Sequence, residues 1–331
     1  MNNNTYGHNS SLPNSPTPQL LNSPTPQLPN SPIMSVKGKY LNPKADLTFK
    51  LVFGEHKDLV MSLLNALLPL PADGQIVSVE YISNEMVPDN PGKKFSIVDV
   101  QCEDQRGRRF IVEMQNVWQS MFVKRVLLNT AKAIVKQVGE ADDFSRLQPV
   151  YSLNLVNDEG FDRETTEFYH DYMLTDTSHP EQTLDGIRMV FVELKKFRPK
   201  SMPEKKMAVL WLRFLTEISE ATEEVPVELL ENAETSKALL ILERSAYNDS
   251  QLHAYQNFWY GVHSERVLFD DGHKKGLAEG LEKGRAEGLA EGERKKSLAI
   301  ALNLRQMGMP LAEVAKATGL SVKEIKALHS S

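Results

Sequence analysis

The chain has 331 residues, 41% hydrophobic and 25% charged, a balance that allows a buried core; at about 150 residues per domain two units are expected. Its one cysteine, Cys102, excludes an internal disulfide, a zinc ribbon and an iron–sulfur cluster, and suits a reducing, cytoplasmic setting. A net charge of −6 excludes a broadly basic nucleic-acid binder, and the most apolar run, 59–71, falls short of the roughly 20 residues of a membrane span, so no membrane contact is expected.

Residues 1–34 are rich in Asn, Ser, Pro and Thr, and NSPTPQL at 14–20 returns unchanged at 22–28. Proline every few residues blocks helix and ladder formation, so a disordered leader is expected, either a functional arm or the by-product of a start codon upstream of Met34. From Asp46 to Leu68 apolar residues recur at helical period, with Gly54 expected to divide the stretch into two helices and Pro69 and Pro71 to end it. Strands are predicted over 76–82, 95–102 and 109–116, a helix over 118–138 and a strand over 149–156. Alternating stretches at 166–174 and 187–197 read as a hairpin that extends the sheet. Helix, three strands, helix, strand is the order of one mixed α/β domain, set at 35–200, and residues 201–270 read as a helical extension.

Glycine then recurs at 272, 276, 280, 284, 288 and 292. A four-residue period overshoots the helical turn by about 40°, so these glycines form a stripe winding slowly round a helix. Each costs about 1 kcal/mol relative to alanine. The segment 271–296 is therefore either compensated by close helix approach, as in a homo-oligomer, or a solvated charged linker with nascent helix. Residues 297–331 read as three short helices, with Gly308 and Pro310 in one turn and 318–321 in the next; Gly319 fits a helix C-terminus, and Ser321 an N-cap whose capping box Glu324 completes. That spacing suits a helix-turn-helix, but with Arg305, Lys316, Lys323 and Lys326 as its few cations a packing or dimerisation element fits equally well.

The informative stretch is FSIVDVQCEDQRGRRFIVEMQ, 95–115. Asp104, Gln105, Arg106 and Gly107 are turn residues, and a hairpin symmetric about Arg106 sets Asp99 opposite Glu113. Val98, Val100 and Cys102 then share an apolar face with Phe110, Val112 and Met114, which makes Cys102 a core residue, while Asp99, Gln101, Glu113 and Gln115 share the other face. Two carboxylates about 5 Å apart across a strand pair repel unless a cation lies between them, and hard oxygen ligands suit Mg²⁺. The alternative is an amphipathic ribbon whose polar face meets water. The histidines show no metal spacing, and no phosphate-binding glycine loop is present.

Asp46 on the first helix, then Asp99, then Glu113-Met114-Gln115, then a helix opening near Trp118 resembles the PD-(D/E)XK nuclease superfamily, in particular its recombination-promoting nuclease and transposase (Rpn) branch. The resemblance covers about 40–197, including DLTFKLVFG at 46–54 and ELKKF at 193–197. It implies a restriction-endonuclease-like core, a mixed central sheet flanked by helices, followed by a helical C-terminal region. It also implies Mg²⁺ or another divalent cation on Asp99, Glu113 and the carbonyl of Met114, with Asp46 of the first helix helping to hold the metal through water or completing a second site, and Gln115, in the superfamily lysine's place, positioning the attacking water. Glutamine there offers a neutral hydrogen bond where lysine offers charge. DNA would be held by Lys93, Lys94, Arg106, Arg108, Arg109, Lys124 and Arg125, unless these form only a solvated rim. The function implied is a metal-dependent DNA endonuclease of recombination or mobile elements; the alternative is a weak or inactive nuclease fold that binds DNA or serves as a scaffold, assembling through its tail.

Overall fold

The computed structural model describes residues 38–86, 96–138, 143–199 and 206–328; the proline-rich leader and the predicted DNA contacts Lys93 and Lys94 lie outside them. In chain order the elements are α1 (Asp46–Phe49), α2 (Lys57–Leu67), β1 (Val79–Tyr81), β2 (Glu85–Met86), β3 (Ser96–Ile97), β4 (Val100–Asp104), β5 (Arg109–Gln115), α3 (Met121–Val135), β6 (Val150–Val156), β7 (Tyr169–Thr175) and β8 (Thr183–Glu193). The helices α4 (Lys206–Glu217), α5 (Val227–Glu231), α6 (Ala233–Ile241), α7 (Asp249–Gln306), α8 (Leu311–Thr318) and α9 (Val322–Ala327) follow. One turn of π-helix, Lys50–Gly54, separates α1 from α2, so the division expected at Gly54 is present.

Six strands form one mixed sheet in the order β1-β4-β5-β6-β8-β7. The pairs β5–β6 and β6–β8 are parallel and the others antiparallel, with β7–β8 extending the sheet as a hairpin. Alternation sets the two faces. Val100, Cys102, Phe110, Val112, Leu153, Leu155, Val190 and Val192 face a core shared with α2, α4 and α6, where Trp211 of α4 sits 5.3 Å from the Phe53 ring and donates to Ser62 Oγ at 3.0 Å. The Cys102 thiol is pushed up to about 12 by burial, which leaves it a core residue and not a nucleophile. On the other face lie Ile111, Val150, Val156 and Phe191, covered by α3 through Phe122, Val126 and Ala133.

The hairpin register is the expected one: Val100 pairs with Val112 and Cys102 with Phe110. Gly107 takes a positive φ of 78° in the turn, a conformation glycine adopts without strain. Two expectations need correction. Val98 does not share the face of Val100; it packs with Ile111, Ala133 and Val150 on the α3 side, because the chain bends at Asp99 and the alternation breaks there. The predicted strand 76–82 shrinks to β1, because Asn65 of α2 captures both backbone groups of Ile76, at 2.8 and 2.9 Å, and takes them out of the ladder.

The long helix α7 runs unbroken through the glycine stretch, started by a capping box between Asn248 and Gln251. Its first turns pack Leu252, Tyr255, Phe258 and Trp259 against Leu41, Ala45, Leu47 and Leu51. Along the tetrads, a Cβ added at any of the six glycines would meet nothing within 4 Å, and Leu277, Leu281 and Leu289 are exposed. The end of α7 then packs with α8 and α9 around Ala301, Val314 and Ile325; Gly319 is left-handed and the Ser321–Glu324 capping box is formed, as the sequence indicates. No described helix is long and apolar enough to cross a membrane.

Candidate active site

Asp99 lies at the bend before β4, and Asn84 fills the interruption. The Asn84 side-chain amide donates to the Asp99 carbonyl at 3.0 Å, its side-chain oxygen accepts from Gln101 N at 2.9 Å, and its backbone carbonyl accepts from Val98 N at 3.0 Å. The Asp99 carboxylate turns toward β5, where Oδ2 accepts the Met114 N–H at 2.6 Å. The paired register ends at Val100–Val112, and the bond to Met114 brings the Asp99 carboxylate to the end of β5, where its charge acts on Glu113.

Glu113 is only 4% exposed, because α3 covers the face of the sheet that carries it. Asn129 of α3 donates to Glu113 Oε1 at 3.0 Å, and an Arg125 nitrogen stands 3.9 Å from Oε2. The polar face of the hairpin is therefore buried, with Gln101 and Gln115 also inside, which removes the reading of a water-facing ribbon. Burial, together with repulsion from Asp99, pushes the Glu113 carboxyl up to about 7 against the pull of Arg125 and Asn129. Burial likewise pushes Asp99 up to about 6; the Met114 N–H opposes it and the Asp46 charge adds to it.

Asp46 is exposed and ion-paired to Lys50, one helical turn on, at 2.7 Å. Both charges act on Asp99, Asp46 raising its pKa and Lys50 lowering it. Gln115 is held at both ends of its amide: Oε1 accepts from Arg125 at 2.7 Å, and Nε2 donates to the Val117 carbonyl.

The predicted basic residues scatter. Arg108 is 5% exposed, paired to Asp104 at 2.6 Å and bonded to the Gly74 carbonyl; Arg106 bonds to the Asp73 carbonyl. Arg109 bonds to Glu103 and to the Ala133 carbonyl. All three sit at the turn end of the hairpin, with Arg109 roughly 13 Å along β5 from Glu113. Lys124 is exposed on α3, and Arg125 points inward to Gln115.

Sequence reasoning missed Lys50, Asn84, Asn116, Asn129 and Arg266. Arg125 and Asn129, polar residues four apart on a helix whose neighbours Phe122, Val126 and Ala133 are buried, carried the one readable signal. Arg266 of α7 donates to the Asn116 carbonyl at 3.1 Å and approaches Asp158 at 3.5 Å. Beside it opens a cleft of about 1040 Å³ between α7 and residues 158–168 and 195–198. Beneath lies Glu193, fully buried at the end of β8; its Oε1 meets His170 Nε2 at 3.0 Å and accepts from Lys196 at 2.7 Å, and Lys196 also bonds to the Asp162 carbonyl. This ties the 158–168 loop to the sheet and gives the ELKKF segment a structural role.

Among the described residues no group of three or more His, Cys, Asp or Glu side chains is arranged to hold a metal ion. The Asp99–Glu113 pair fits a divalent cation in another way: two crowded, desolvated carboxylates of hard oxygen character, which a cation keeping several water ligands would relieve.

A mixed six-stranded sheet flanked by helices is the architecture of the restriction-endonuclease-like α/β class. The family model described as PD-(D/E)XK nuclease family transposase matches residues 43–264, more than half of the chain, and the chain belongs to that family. No curated protein and no solved structure gives a significant match. The match ends inside α7, after its packed turns and before the glycine stretch.

Proposed function

We propose that this chain is a divalent-cation-dependent DNA endonuclease associated with recombination or mobile elements and working in the cytoplasm. The observation that carries the reading is the buried Asp99–Glu113 pair, whose carboxyls burial and mutual repulsion push up to about 6 and 7. Asp99 and Glu113 hold the cation together with the Met114 carbonyl. A strand residue turns its N–H and C=O to the same neighbour, so Met114, whose N–H reaches Asp99, presents its carbonyl to that side. A divalent cation held there would lower the pKa of a water and draw charge from the scissile phosphate. Asp46 contributes through water from the exposed side. In the reaction a water oxygen bonds to phosphorus as the bond to one sugar oxygen breaks, leaving a phosphate monoester and a hydroxyl. Lys93, Lys94 and Lys124 attract the DNA backbone, and the tail assembles copies of the chain into a homo-oligomer.

A second reading is an inactive DNA-binding or scaffold protein, favoured by glutamine at the lysine position with both ends of its amide engaged. Nicking of supercoiled plasmid by the purified chain, with Mg²⁺ or with EDTA, separates the two. Nicking that requires metal and is lost in Asp99→Asn supports the nuclease; retention of DNA without nicking supports the scaffold.

A further inference from the structure

We infer that Arg125 supplies the positive charge that a lysine at position 115 would supply, and that Gln115 is the positioning residue that holds it there. The inference rests on the nuclease reading above and deepens it. Gln115 is neutral and 9% exposed, and its carbonyl oxygen is taken by the Arg125 guanidinium at 2.7 Å. The same guanidinium stands 3.9 Å from Glu113 Oε2 and 5.0 Å from the centre of the Phe122 ring, on which it rests. Its Nε is buried with no partner among the described residues, and the side chain as a whole is 41% exposed. One edge of the fork is thus fixed inside the protein, while donors remain for an incoming group.

Two described cations near the acid pair are committed elsewhere. Lys50 is paired to Asp46 at 2.7 Å, and Arg266 is bonded to the Asn116 carbonyl and to Asp158. Arg125 stands loosely from Glu113 and its tight bond goes to a neutral amide, so its charge is not cancelled. The helix makes this placement: Phe122, Arg125 and Asn129 lie three and four residues apart on one face of α3, so a ring, a charge and an amide donor meet the end of β5 together. A guanidinium keeps its proton at any working pH and presents several donors in one plane, a geometry suited to phosphate oxygens. When water adds to phosphorus, charge grows on the non-bridging oxygens, and a fixed donor there contributes in proportion to that growth. Charge that the strand position lacks is thereby delivered from the helix.

The test uses the full chain and the variants Arg125→Met, Arg125→Lys, Gln115→Lys and the double variant R125M/Q115K. Single-turnover cleavage of supercoiled plasmid in Mg²⁺ is read beside DNA affinity in Ca²⁺ and beside Mn²⁺ binding by calorimetry. R125M is expected to lower the cleavage rate by roughly 10²–10³, the effect of losing one transition-state donor, with Mn²⁺ and DNA affinities within about threefold. R125K recovers part of the rate, and adding Q115K to R125M recovers at least about tenfold. Should R125M fail to fold, Gln115→Leu, which frees the guanidinium from its anchor, serves instead, with a rate loss of about tenfold at unchanged Mn²⁺ affinity. Wild-type cleavage by R125M overturns the inference alone, as does loss of Mn²⁺ binding in step with cleavage, which would make Arg125 a prop for the acids. A wild-type chain that cleaves nothing overturns the nuclease reading and this inference with it.

Discussion

The Met114 N–H and the Asp99 carboxylate are joined by a hydrogen bond of 2.6 Å, so the backbone of β5 aims the acid that precedes β4. A carboxylate accepting a backbone N–H ordinarily loses proton affinity, yet burial and the Asp46 charge outweigh that bond and keep Asp99 near 6. The site therefore holds its acids in position at a cost to the metal-free protein.

Asp99→Ala and Glu113→Ala are each expected to abolish Mg²⁺-dependent cleavage, a fall of at least about 10³, while circular dichroism and melting remain near wild type. Removing one of two repelling buried carboxylates relieves the other. Wild-type cleavage by either variant would remove these residues from the metal site.

The acid pair also sets a pH dependence. Glu113 rises from an ordinary 4.5 to about 7 and Asp99 from 3.8 to about 6, so the folded chain binds protons more tightly than the unfolded one. Between about pH 4 and 7 the unfolded state holds fewer protons, and stability falls as pH rises through that window. In EDTA the melting temperature should drop from pH 5 to pH 8 by an amount worth on the order of 4 kcal/mol, and Glu113→Gln should flatten the slope. Added Mg²⁺ should raise the melting temperature more at pH 8 than at pH 5, because the ligands must be deprotonated. A flat profile in EDTA would show that the pair is not strained.

The hairpin was legible because its signals agree: a turn sequence with Gly107, and apolar alternation on both strands that permits one register. The bend at Asp99 was not, because its cause is Asn84, distant in sequence and reaching across with its side chain. Burial of the polar face was hidden for a related reason. Which side of a sheet a crossover helix covers is a tertiary fact, and only the Arg125–Asn129 spacing hinted at it. The glycine tetrads gave contending local signals, and the helix that carries them meets nothing among the described residues along the stripe.

Asn84 should therefore matter to both fold and site. Asn84→Ala leaves the Asp99 carbonyl and the Gln101 N–H without their partner and is expected to cost about 1–3 kcal/mol. Because the bend that aims Asp99 is loosened, Mg²⁺-dependent cleavage should fall at temperatures where the variant is still fully folded. A variant that melts lower but cleaves as wild type would limit Asn84 to a structural part.

Glu193 poses a different case. Its Oε1 satisfies both His170 and Lys196, and Lys196 reaches on to the Asp162 carbonyl, so Glu193→Ala deprives a half-buried ammonium of its carboxylate and loosens the 158–168 loop. A loss of about 1–3 kcal/mol is expected, with protease nicking first appearing within that loop. Lys196→Met, which removes the tether itself and leaves the fully buried carboxylate with His170 alone, should cost at least as much. A clearly smaller cost would show that the Lys196 tether does not hold the loop.

The last prediction separates the packed half of α7 from the projecting half. Up to Arg266 the helix contributes to the site: it packs Tyr255 and Trp259 on the residues around α1 and bonds the Asn116 carbonyl next to Gln115. Beyond Asp271 the tetrads make no contact along their glycines among the described residues, and the small unit of α8 and α9 closes its own core around Ala301, Val314 and Ile325. A chain ending after Asp271 should keep metal-dependent cleavage at high protein concentration, yet show a smaller species in light scattering and a weaker apparent affinity for DNA, through lost avidity, by about 10-fold or more. Arg266→Ala in the full chain should do the reverse, leaving the assembly size unchanged while lowering cleavage severalfold as the 116–118 turn loosens. If the shortened, folded chain cleaved nothing even at saturating concentration, the tail would belong to the active site; if it kept the size and affinity of the full chain, the glycine stripe would have no partner in solution.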